Sequence, residues 1–211
     1  MNFEDLIQAV ILGDGEKAYQ LTGEALGNKI SAGQILEKGL IPGLQKVGEF
    51  FESGEYYLPE LIVSGEAVAR ALELLEPIMA REGASFKGKY LIGTVKGDIH
   101  DLGKSIVIMM LKGNGWAVTD LGVDIPPEEF VAAVEKGEHQ VLGLSSLLTM
   151  TMPNAAKTIE ALEKAGLRKK IKVMVGGAPT TAEWARKIGA DAHAKDGPTA
   201  AIVAAGLIGK G

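Results

Sequence analysis

Residues 90–105 read YLIGTVKGDIHDLGKS: a short apolar run, then a polar loop, then the start of an amphipathic stretch. An apolar run of this length bounded by turn residues is typical of a buried strand. After Leu102 the apolar residues take the spacing of an amphipathic helix. The same order of run, loop and amphipathic stretch recurs along the rest of the chain. We therefore interpret residues 85–211 as five βα units.

The βα units predict a doubly wound, five-stranded parallel sheet of flavodoxin-like or Rossmann-like type. The predicted strands lie near residues 90–95, 116–121, 141–145, 171–175 and 191–194. Helices are predicted to begin near Leu102, Pro127, Pro153, Thr181 and Pro198. Thr180 and Glu183 have the spacing of a capping box for the fourth of these helices. Ligands of such sheets bind at the carboxyl ends of the strands.

Residues 1–84 have a helical period instead. Apolar residues recur at steps of three and four near residues 3–12, 16–26, 36–51 and 61–79. Pro42 should kink or split the third helix, whereas Pro59 fits the first turn of the fourth. We predict an antiparallel four-helix bundle over residues 1–84, joined at Gly83-Ala84-Ser85 to the α/β domain of residues 85–211.

Composition excludes several classes of protein. Of 211 residues, 46% are hydrophobic and 23% charged, with a net charge of −5, which argues against disorder and against a nucleic-acid partner. The lack of cysteine excludes disulfides, thiolate metal sites and a cysteine nucleophile. No run approaches the ~18 uncharged apolar residues of a membrane helix, and Glu4 and Asp5 stand where a signal peptide is basic. We expect a cytoplasmic protein with no membrane partner.

Three segments that follow predicted strands carry the candidate site. Behind the first strand, Asp98 precedes His100 by two residues, and a carboxylate that accepts one imidazole N–H raises the basicity of the other ring nitrogen. This pair suits a metal ligand or a general base, and Gly103 leaves space for a bulky ligand. Behind the third and fourth strands lie the hydroxyl-rich loop 145–151 and the pair Gly176-Gly177. Together they describe a small-walled slot with one histidine at its mouth.

Each segment also has a purely structural interpretation. Asp98 and His100 could form a helix-capping pair. Ser145, Thr149 and Thr151 could cap the next helix, and the position of Thr151 before Pro153 favours that role. A Gly-Gly turn after a strand is common. Spacing alone therefore indicates a ligand-binding flavodoxin-like domain with an imidazole in its site.

The three segments, taken in order, resemble the cobalamin-binding signature DxHxxG–SxL–GG. The matching residues are Asp98-x-His100-x-x-Gly103, Ser145-x-Leu147 and Gly176-Gly177. The chain is similar over nearly its whole length to corrinoid methyl-carrier proteins of methyltransferase systems and to two modules of cobalamin-dependent methionine synthase. In the helical half, Gly39-Leu40-Ile41-Pro42-Gly43 and Tyr57-Leu58-Pro59-Glu60 resemble the cap that precedes the B12 domain.

The sequence departs from that family at a few positions. Ser105 stands where many relatives have Asn, so we expect a difference in a contact to the corrin or to the helix start. Thr151 replaces the Ser of methionine synthase but keeps the hydroxyl group. We attach no role to His193.

The resemblance implies a corrinoid bound base-off and histidine-on: methylcobalamin, cob(I)alamin or a related corrinoid. His100 would be the lower axial ligand of cobalt, Asp98 would hold the other imidazole nitrogen, and Thr151 would complete a relay to solvent. Ser145 and Thr149 would contact the buried nucleotide tail. The remaining expected cofactor-binding residues are Asp101, Gly103, Leu147, Gly176, Gly177, Ala194 and Asp196.

The resemblance also implies a stand-alone methyl carrier that turns over nothing by itself. It would accept a methyl group from a substrate:corrinoid methyltransferase and pass it to a second methyltransferase, whose acceptor is tetrahydrofolate or coenzyme M. A reductive activator of Co(II) would be a further partner. The alternatives are a cobalamin-dependent mutase subunit, a B12-sensing binding module, and a receiver or flavodoxin-like domain. The cap motifs disfavour the first, the lack of a DNA-binding or signalling segment disfavours the second, and the helical half disfavours the third.

Overall fold

The computed structural model describes residues 3–82 and 86–209. Contacts divide the chain into two compact units, Met1–Phe86 with Met109–Gly115, and Lys87–Ile108 with Trp116–Gly211. The expected junction at Gly83-Ala84-Ser85 lies outside the described residues. The division at residue 84 therefore stays a prediction.

Helices form the first unit, as the periodicity predicts. They are α1 (Glu4–Ile11), α2 (Gly15–Gly27), α3 (Ala32–Ile35), a π-helical turn (Leu36–Leu40), α4 (Ile41–Ser53) and α5 (Leu58–Glu82). Three predicted helices correspond to α1, α2 and α5, and Pro59 lies in the first turn of α5. The third predicted helix consists of α3, the π-helical turn and α4.

The predicted break at Pro42 takes the form of that π-helical turn. Pro42 is the second residue of α4, and it lacks an N–H for the carbonyl of Lys38. In a regular α-helix its ring would also crowd that carbonyl. The Ile41 N–H instead bonds to the carbonyl of Leu36, five residues back, so the wider turn takes up the mismatch directly before the proline.

Two glycines allow α1 to pack closely against the π-helical turn and the start of α4. Gly39 and Gly43 are one helical turn apart and therefore share a face. A Cβ atom at Gly43 would lie 2.8 Å from the Cβ of Val10, and one at Gly39 would lie 2.5 Å from a methyl carbon of Leu6. Leu6 and Val10 are fully buried residues of α1. The glycines of the cap motif thus have a packing role within the first unit.

We predict that Gly43→Ala destabilises the protein by about 1–3 kcal/mol, because the new methyl group overpacks against Val10. The matched control is Gly23→Ala inside α2, where a Cβ would make only an ordinary 3.7 Å contact with Leu74. That variant should gain up to about 1 kcal/mol from helix propensity. Urea unfolding of both variants measures the difference, and equal changes in the free energy of unfolding would contradict the close contact.

The second unit contains one parallel sheet, which confirms the predicted fold class. Its strands are β1 (Lys89–Thr94), β2 (Ala117–Asp120), β3 (Val141–Ser145), β4 (Lys172–Gly176) and β5 (Ala192–Ala194). Their spatial order is β2-β1-β3-β4-β5, the flavodoxin-like order. The helices that follow β1 to β5 are α6 (Leu102–Gly113), α7 (Pro127–Lys136), α8 (Met152–Lys164), α9 (Ala182–Lys187) and α10 (Gly197–Leu207). The residues of α6 from Met109 onward are grouped with the first unit.

Alternation along the strands divides the buried residues between the two faces of the sheet. One face and the helices α7, α8 and α9 share a hydrophobic core that includes Leu91, Leu142, Leu144, Val173 and Val175. The intervening strand residues, among them Tyr90, Ile92 and Met174, are buried as well. Burial on both faces explains why the strands read as nearly continuous apolar runs.

The strand register brings the candidate segments to one edge. Thr94 pairs with Ser145, Ser145 with Gly176, and Gly176 with Ala194. The loops that follow β1 and β3 leave the sheet at the point where the strand order reverses. This is the place where doubly wound sheets bind ligands.

The capping box predicted at Thr180 is wrong by one residue. Thr181 is the N-cap of α9, and its hydroxyl accepts the N–H of Trp184 at 3.1 Å. Thr180 is buried, and its hydroxyl lies 2.6 Å from the carbonyl of Gly177 and 3.0 Å from Nε2 of His193. His193 therefore has a partner within the fold.

None of the helices in the described parts of the chain combines the length and the apolar character needed to cross a bilayer.

Candidate functional site

The carboxylate of Asp98 is the centre of the site. It is fully buried and faces donors from two loops. Oδ1 accepts the backbone N–H of His100 at 3.1 Å and lies 2.6 Å from Nδ1 of the same residue. Oδ2 accepts the N–H groups of Leu147 and Leu148 at 2.7 and 3.3 Å and the hydroxyl of Thr151 at 2.7 Å.

Hydrogen bonds keep this buried carboxylate charged. Burial alone would raise the pKa of Asp98, but the hydrogen bonds from Thr151, His100 and Leu147 outweigh it and hold the pKa well below its usual range. A charge removed from water is tolerated when its lone pairs are satisfied in this way. Asp98 is therefore an anion at neutral pH.

This anion determines which nitrogen of His100 is available. Because Nδ1 faces a carboxylate, it carries the proton, and the lone pair is on Nε2. The imidazole is 45% exposed, whereas Asp98 is inaccessible to water. The carboxylate does not cap α6, which begins at Leu102, so the interpretation of Asp98 as a helix cap is wrong. The pair presents one oriented, basic nitrogen.

Further contacts fasten the loop that carries the histidine. The hydroxyl of Thr94 donates to the carbonyl of His100 at 3.1 Å. The carboxylate of Asp124 accepts the N–H of Gly97 at 2.7 Å, and the amide of Asn154 donates to the carbonyl of Lys96 at 2.7 Å. Sequence reasoning missed Thr94, Asp124 and Asn154, because each lies outside the loop that holds His100 and belongs to none of the motifs.

A further missed residue, Ser146, extends the network. Its hydroxyl lies 2.8 Å from that of Thr151, and both residues are buried. A hydroxyl has one proton, so when Thr151 donates to Asp98 it accepts from Ser146. Thr151 occupies the N-cap position of α8 without a side-chain capping bond, so its interpretation as a cap is wrong. The expected extension of this relay to solvent stays a prediction.

The other residues of the third-strand loop have different environments. Ser145 ends β3 and is half-buried, and Thr149 is exposed. Leu147 donates its backbone N–H to Asp98, while its side chain is 39% exposed. The structure thus joins Leu147 to the histidine pair through its backbone, and Ser145 and Thr149 remain predicted contacts of the nucleotide tail.

Gly176 ends β4 and Gly177 follows it, and the space around these two glycines differs. Gly177 has a φ of +129°, and a Cβ there would overlap the carbonyl oxygen of Ser146. The protein itself therefore requires glycine at this position, whether or not it makes room for a ligand. At Gly176 a Cβ would lie 3.0 Å from the carbonyl oxygen of Ala194, a buried residue of β5.

The other two predicted carboxylates, Asp101 and Asp196, also have partners within the protein. Asp101 lies 2.8 Å from the ammonium group of Lys104, which lowers the pKa of Asp101. Lys104 is fully buried and also pairs with Asp120 at the end of β2, a contact that sequence reasoning missed. Asp196 caps α10 by accepting the N–H of Thr199 at 2.8 Å. Roles for Asp101 and Asp196 toward a cofactor stay predictions.

Exposed apolar side chains accompany the histidine. Ile99 and Met150 are 74% and 87% exposed, although each is large and apolar. The others in the two loops and at the start of α6 are Leu102, Leu147 and Leu148. Gly103 is exposed, and a Cβ there would meet no protein atom within 4 Å. Apolar residues grouped in this way mark a surface that a ligand or partner covers.

Comparison with known families identifies the ligand. Residues 88–204 match a family described as a B12 binding domain, and residues 3–76 match a second family with the same description. The chain belongs to the B12-binding family. Its cofactor is therefore cobalamin or a related corrinoid.

Named relatives of this B12-binding chain are similar along its whole length. It is 40% identical over 210 residues to a corrinoid protein of Desulfitobacterium hafniense (strain Y51), covering 98% of this chain and 97% of the relative. It is 39% identical over 213 residues to dimethylamine corrinoid protein 1 of Methanosarcina acetivorans, covering 99% and 100%. A chain in the methanol:cobalamin methyltransferase complex MtaBC of Methanosarcina barkeri superposes with a TM-score of 0.82 at 25% identity, covering 99% and 80%.

The residues of the B12-binding domain fit a corrinoid. A macrocycle with a wide apolar face suits the exposed apolar residues and the open approach at Gly103, and a neutral imidazole nitrogen is a good ligand for a transition metal. Across the described residues, no group of three or more His, Cys, Asp or Glu side chains is arranged to hold a metal ion. A corrinoid would not need such a cluster, because its own ring would supply most of the ligands of its metal.

We predict that Thr151→Val lowers the free energy of unfolding of the cofactor-free protein by about 1.5–3 kcal/mol, because the buried charge of Asp98 loses a hydrogen bond. Thr151→Ser keeps the hydroxyl, loses one methyl group and should cost about 0.8 kcal/mol. Urea unfolding compares the two. A serine variant as unstable as the valine variant would contradict a dominant role of the hydroxyl, because the methyl group would then contribute as much to stability.

We predict a larger loss of stability for Gly177→Ala than for Gly122→Ala. Both glycines have a positive φ, +129° and +93°, so both alanines adopt a disfavoured backbone conformation, at about 1–2 kcal/mol. No atom lies within 4 Å of a Cβ at Gly122, whereas the atom in the way at Gly177 belongs to the backbone of Ser146. Thermal unfolding measures the difference in melting temperature between the two variants. Equal melting temperatures would refute the steric requirement at Gly177.

Proposed function

We propose that this protein is a methyl carrier that binds its corrinoid base-off, with Nε2 of His100 as the lower axial ligand of cobalt. The observation that carries the proposal is the 2.6 Å contact between Nδ1 of His100 and the buried carboxylate of Asp98. When bound, the corrinoid supplies a cobalt centre that can accept and release a methyl group.

The chain's own residues control the basicity of that nitrogen. Asp98 holds the proton on Nδ1 and keeps the lone pair on Nε2. Thr151 and Ser146 form a chain of hydroxyls behind the carboxylate, so a change in charge at the imidazole can be met by a shift of hydrogen bonds. A ligand whose basicity responds to its neighbours would suit a metal whose need for a protein ligand changes as it gains and loses a methyl group.

The second unit supplies the rest of the proposed binding site. The corrin would lie against the exposed apolar residues around His100, with Gly103 leaving space for it. The nucleotide tail would lie along the carboxyl edge of the sheet, where the side chains are small. The residues that we expect to hold it are Ser145, Leu147, Thr149, Gly176, Gly177, Ala194 and Asp196. Asp101, next to His100, is a further expected contact of the cofactor.

The proposed partners follow from carriage of a methyl group. One methyltransferase would load the protein from its own substrate, and a second would unload it to tetrahydrofolate or coenzyme M. A reductive activator would rescue Co(II), and all of these proteins would meet in the cytoplasm. The names of the relatives support this scheme, since one is a dimethylamine corrinoid protein and another is part of a methanol:cobalamin methyltransferase complex. Those names give no support to a mutase subunit or a B12 sensor.

We predict that the protein reconstituted with hydroxocobalamin, desalted and reduced to Co(II) gives an EPR signal split by one axial nitrogen. His100→Ala should lose the nitrogen splitting because no other imidazole replaces it. The matched control is His139→Ala, since His139 follows α7 and its Nε2 lies 3.1 Å from the hydroxyl of Thr119. That variant should keep both the bound corrinoid and the splitting.

Two results would contradict the proposal. Nitrogen splitting that survives in His100→Ala would mean that the cofactor's own base, or another residue, is the axial ligand. Failure of the wild-type protein to retain any corrinoid after desalting would remove the basis for a carrier.

A further inference from the structure

Small residues line the second face of the sheet toward its carboxyl edge. This face is opposite the core that contains Leu142 and Val175. Gly143 and Ser145 share it on β3, because residues two apart in a strand point the same way. The register adds β4 and β5, whose residues on this face include Met174, Gly176, Ala192 and Ala194. Met174 is large, and the five small residues are Gly143, Ser145, Gly176, Ala192 and Ala194, which we call the small-residue face.

The hydroxyl of Tyr90 lies at the inner end of the small-residue face. Tyr90 pairs with Val141 in the register, yet a Cβ built at Gly143 would lie 2.6 Å from its Oη. The phenol therefore leans two residues toward the carboxyl edge, across Gly143. The next residue of β3 on that face is Ser145, about 6.6 Å further along.

Packing explains the ring of Tyr90 but not its hydroxyl. The ring makes an edge contact with Trp116 at 5.8 Å between centroids, which phenylalanine would make equally well. The side chain is fully buried, and Oη has no hydrogen-bond partner among residues 3–82 and 86–209. Burial raises the pKa of Tyr90 far above its usual range, so the group keeps its proton. A buried donor without an acceptor is unfavourable, which points to a ligand that supplies one.

We propose that the hydroxyl of Tyr90 donates a hydrogen bond to the lower base of the corrinoid and thereby favours a purine base over dimethylbenzimidazole. This inference rests on the proposed function, because the base must leave cobalt before it can lie along the small-residue face. It assigns to Tyr90 a role in the choice of corrinoid.

The chemistry of the two bases produces the selectivity. Each base is joined to its ribose through the five-membered ring, so the edge that reaches furthest from the ribose belongs to the six-membered ring. In dimethylbenzimidazole that edge carries two methyl groups and no acceptor. In adenine it carries ring nitrogens that accept hydrogen bonds. Adenine satisfies the Tyr90 hydroxyl, whereas dimethylbenzimidazole leaves it buried and unpaired.

The test measures dissociation constants by visible absorbance for three corrinoids: cobinamide, which lacks the nucleotide, cobalamin, and the adenine analogue of cobalamin. We expect the wild-type protein to bind the adenine corrinoid about tenfold more tightly than cobalamin, the effect of one satisfied buried donor. Tyr90→Phe should abolish this preference and leave cobinamide binding unchanged. Tyr19→Phe makes the same chemical change in α2 of the other unit and should keep the tenfold preference.

Tyr90→Phe removes an oxygen that makes no bond to the protein, so its melting temperature should not fall. A second variant, Gly143→Ala, places a methyl group beside Oη. It should weaken both nucleotide-bearing corrinoids relative to cobinamide.

The outcomes separate the two hypotheses. If cobinamide binds the wild-type protein as tightly as both nucleotide-bearing corrinoids, the base does not enter the fold, and the base-off part of the proposed function fails. If both nucleotide-bearing corrinoids bind better than cobinamide, the proposed function stands. In that case three results would overturn the role of Tyr90. The wild-type protein could bind both nucleotide-bearing corrinoids equally well, or the preference for adenine could persist in Tyr90→Phe. The third is a Gly143→Ala variant that binds all three corrinoids as tightly as the wild-type protein.

Discussion

The buried negative charge of Asp98 is the constraint on which the site depends. An unpaired carboxylate in this position would be strongly unfavourable, and it becomes tolerable only when both oxygens are satisfied. The donors come from the His100 loop and from the segment between β3 and α8, about fifty residues further along the chain. Satisfying the charge therefore brings two loops together and orients one imidazole. Stability and ligand orientation have the same physical cause here.

The strand order makes this arrangement possible. The order of the strands reverses between β1 and β3, the position at which doubly wound sheets leave space for a ligand at the carboxyl edge. The site uses that space in two ways. The loops place polar groups and exposed apolar side chains around His100, and the second face of the sheet places small residues below them. The hydroxyl of Tyr90 places a polar group at the inner end of the small-residue face, next to Gly143.

Glycines illustrate how one residue type serves separate purposes. Gly43 allows α1 to approach a helix, and Gly177 avoids the backbone of Ser146 in a left-handed conformation. Gly143 accommodates the phenol of Tyr90. A Cβ at Gly103 would meet no protein atom within 4 Å, so packing does not require glycine at this position. Of these four, Gly103 is the one whose conservative substitution should test ligand access without a change in packing.

The sequence by itself determined the five strands, most helix starts and the pairing of Asp98 with His100, because these depend on periodicity and on neighbours a few residues away. Tertiary structure decided the contacts between distant segments. It selected Ser146 for the hydroxyl network, made Thr151 a donor to Asp98 rather than a cap, and moved the α9 cap to Thr181. Spacing along one segment cannot reveal such choices, because a hydroxyl bonds to whichever acceptor the strand register brings within about 3 Å.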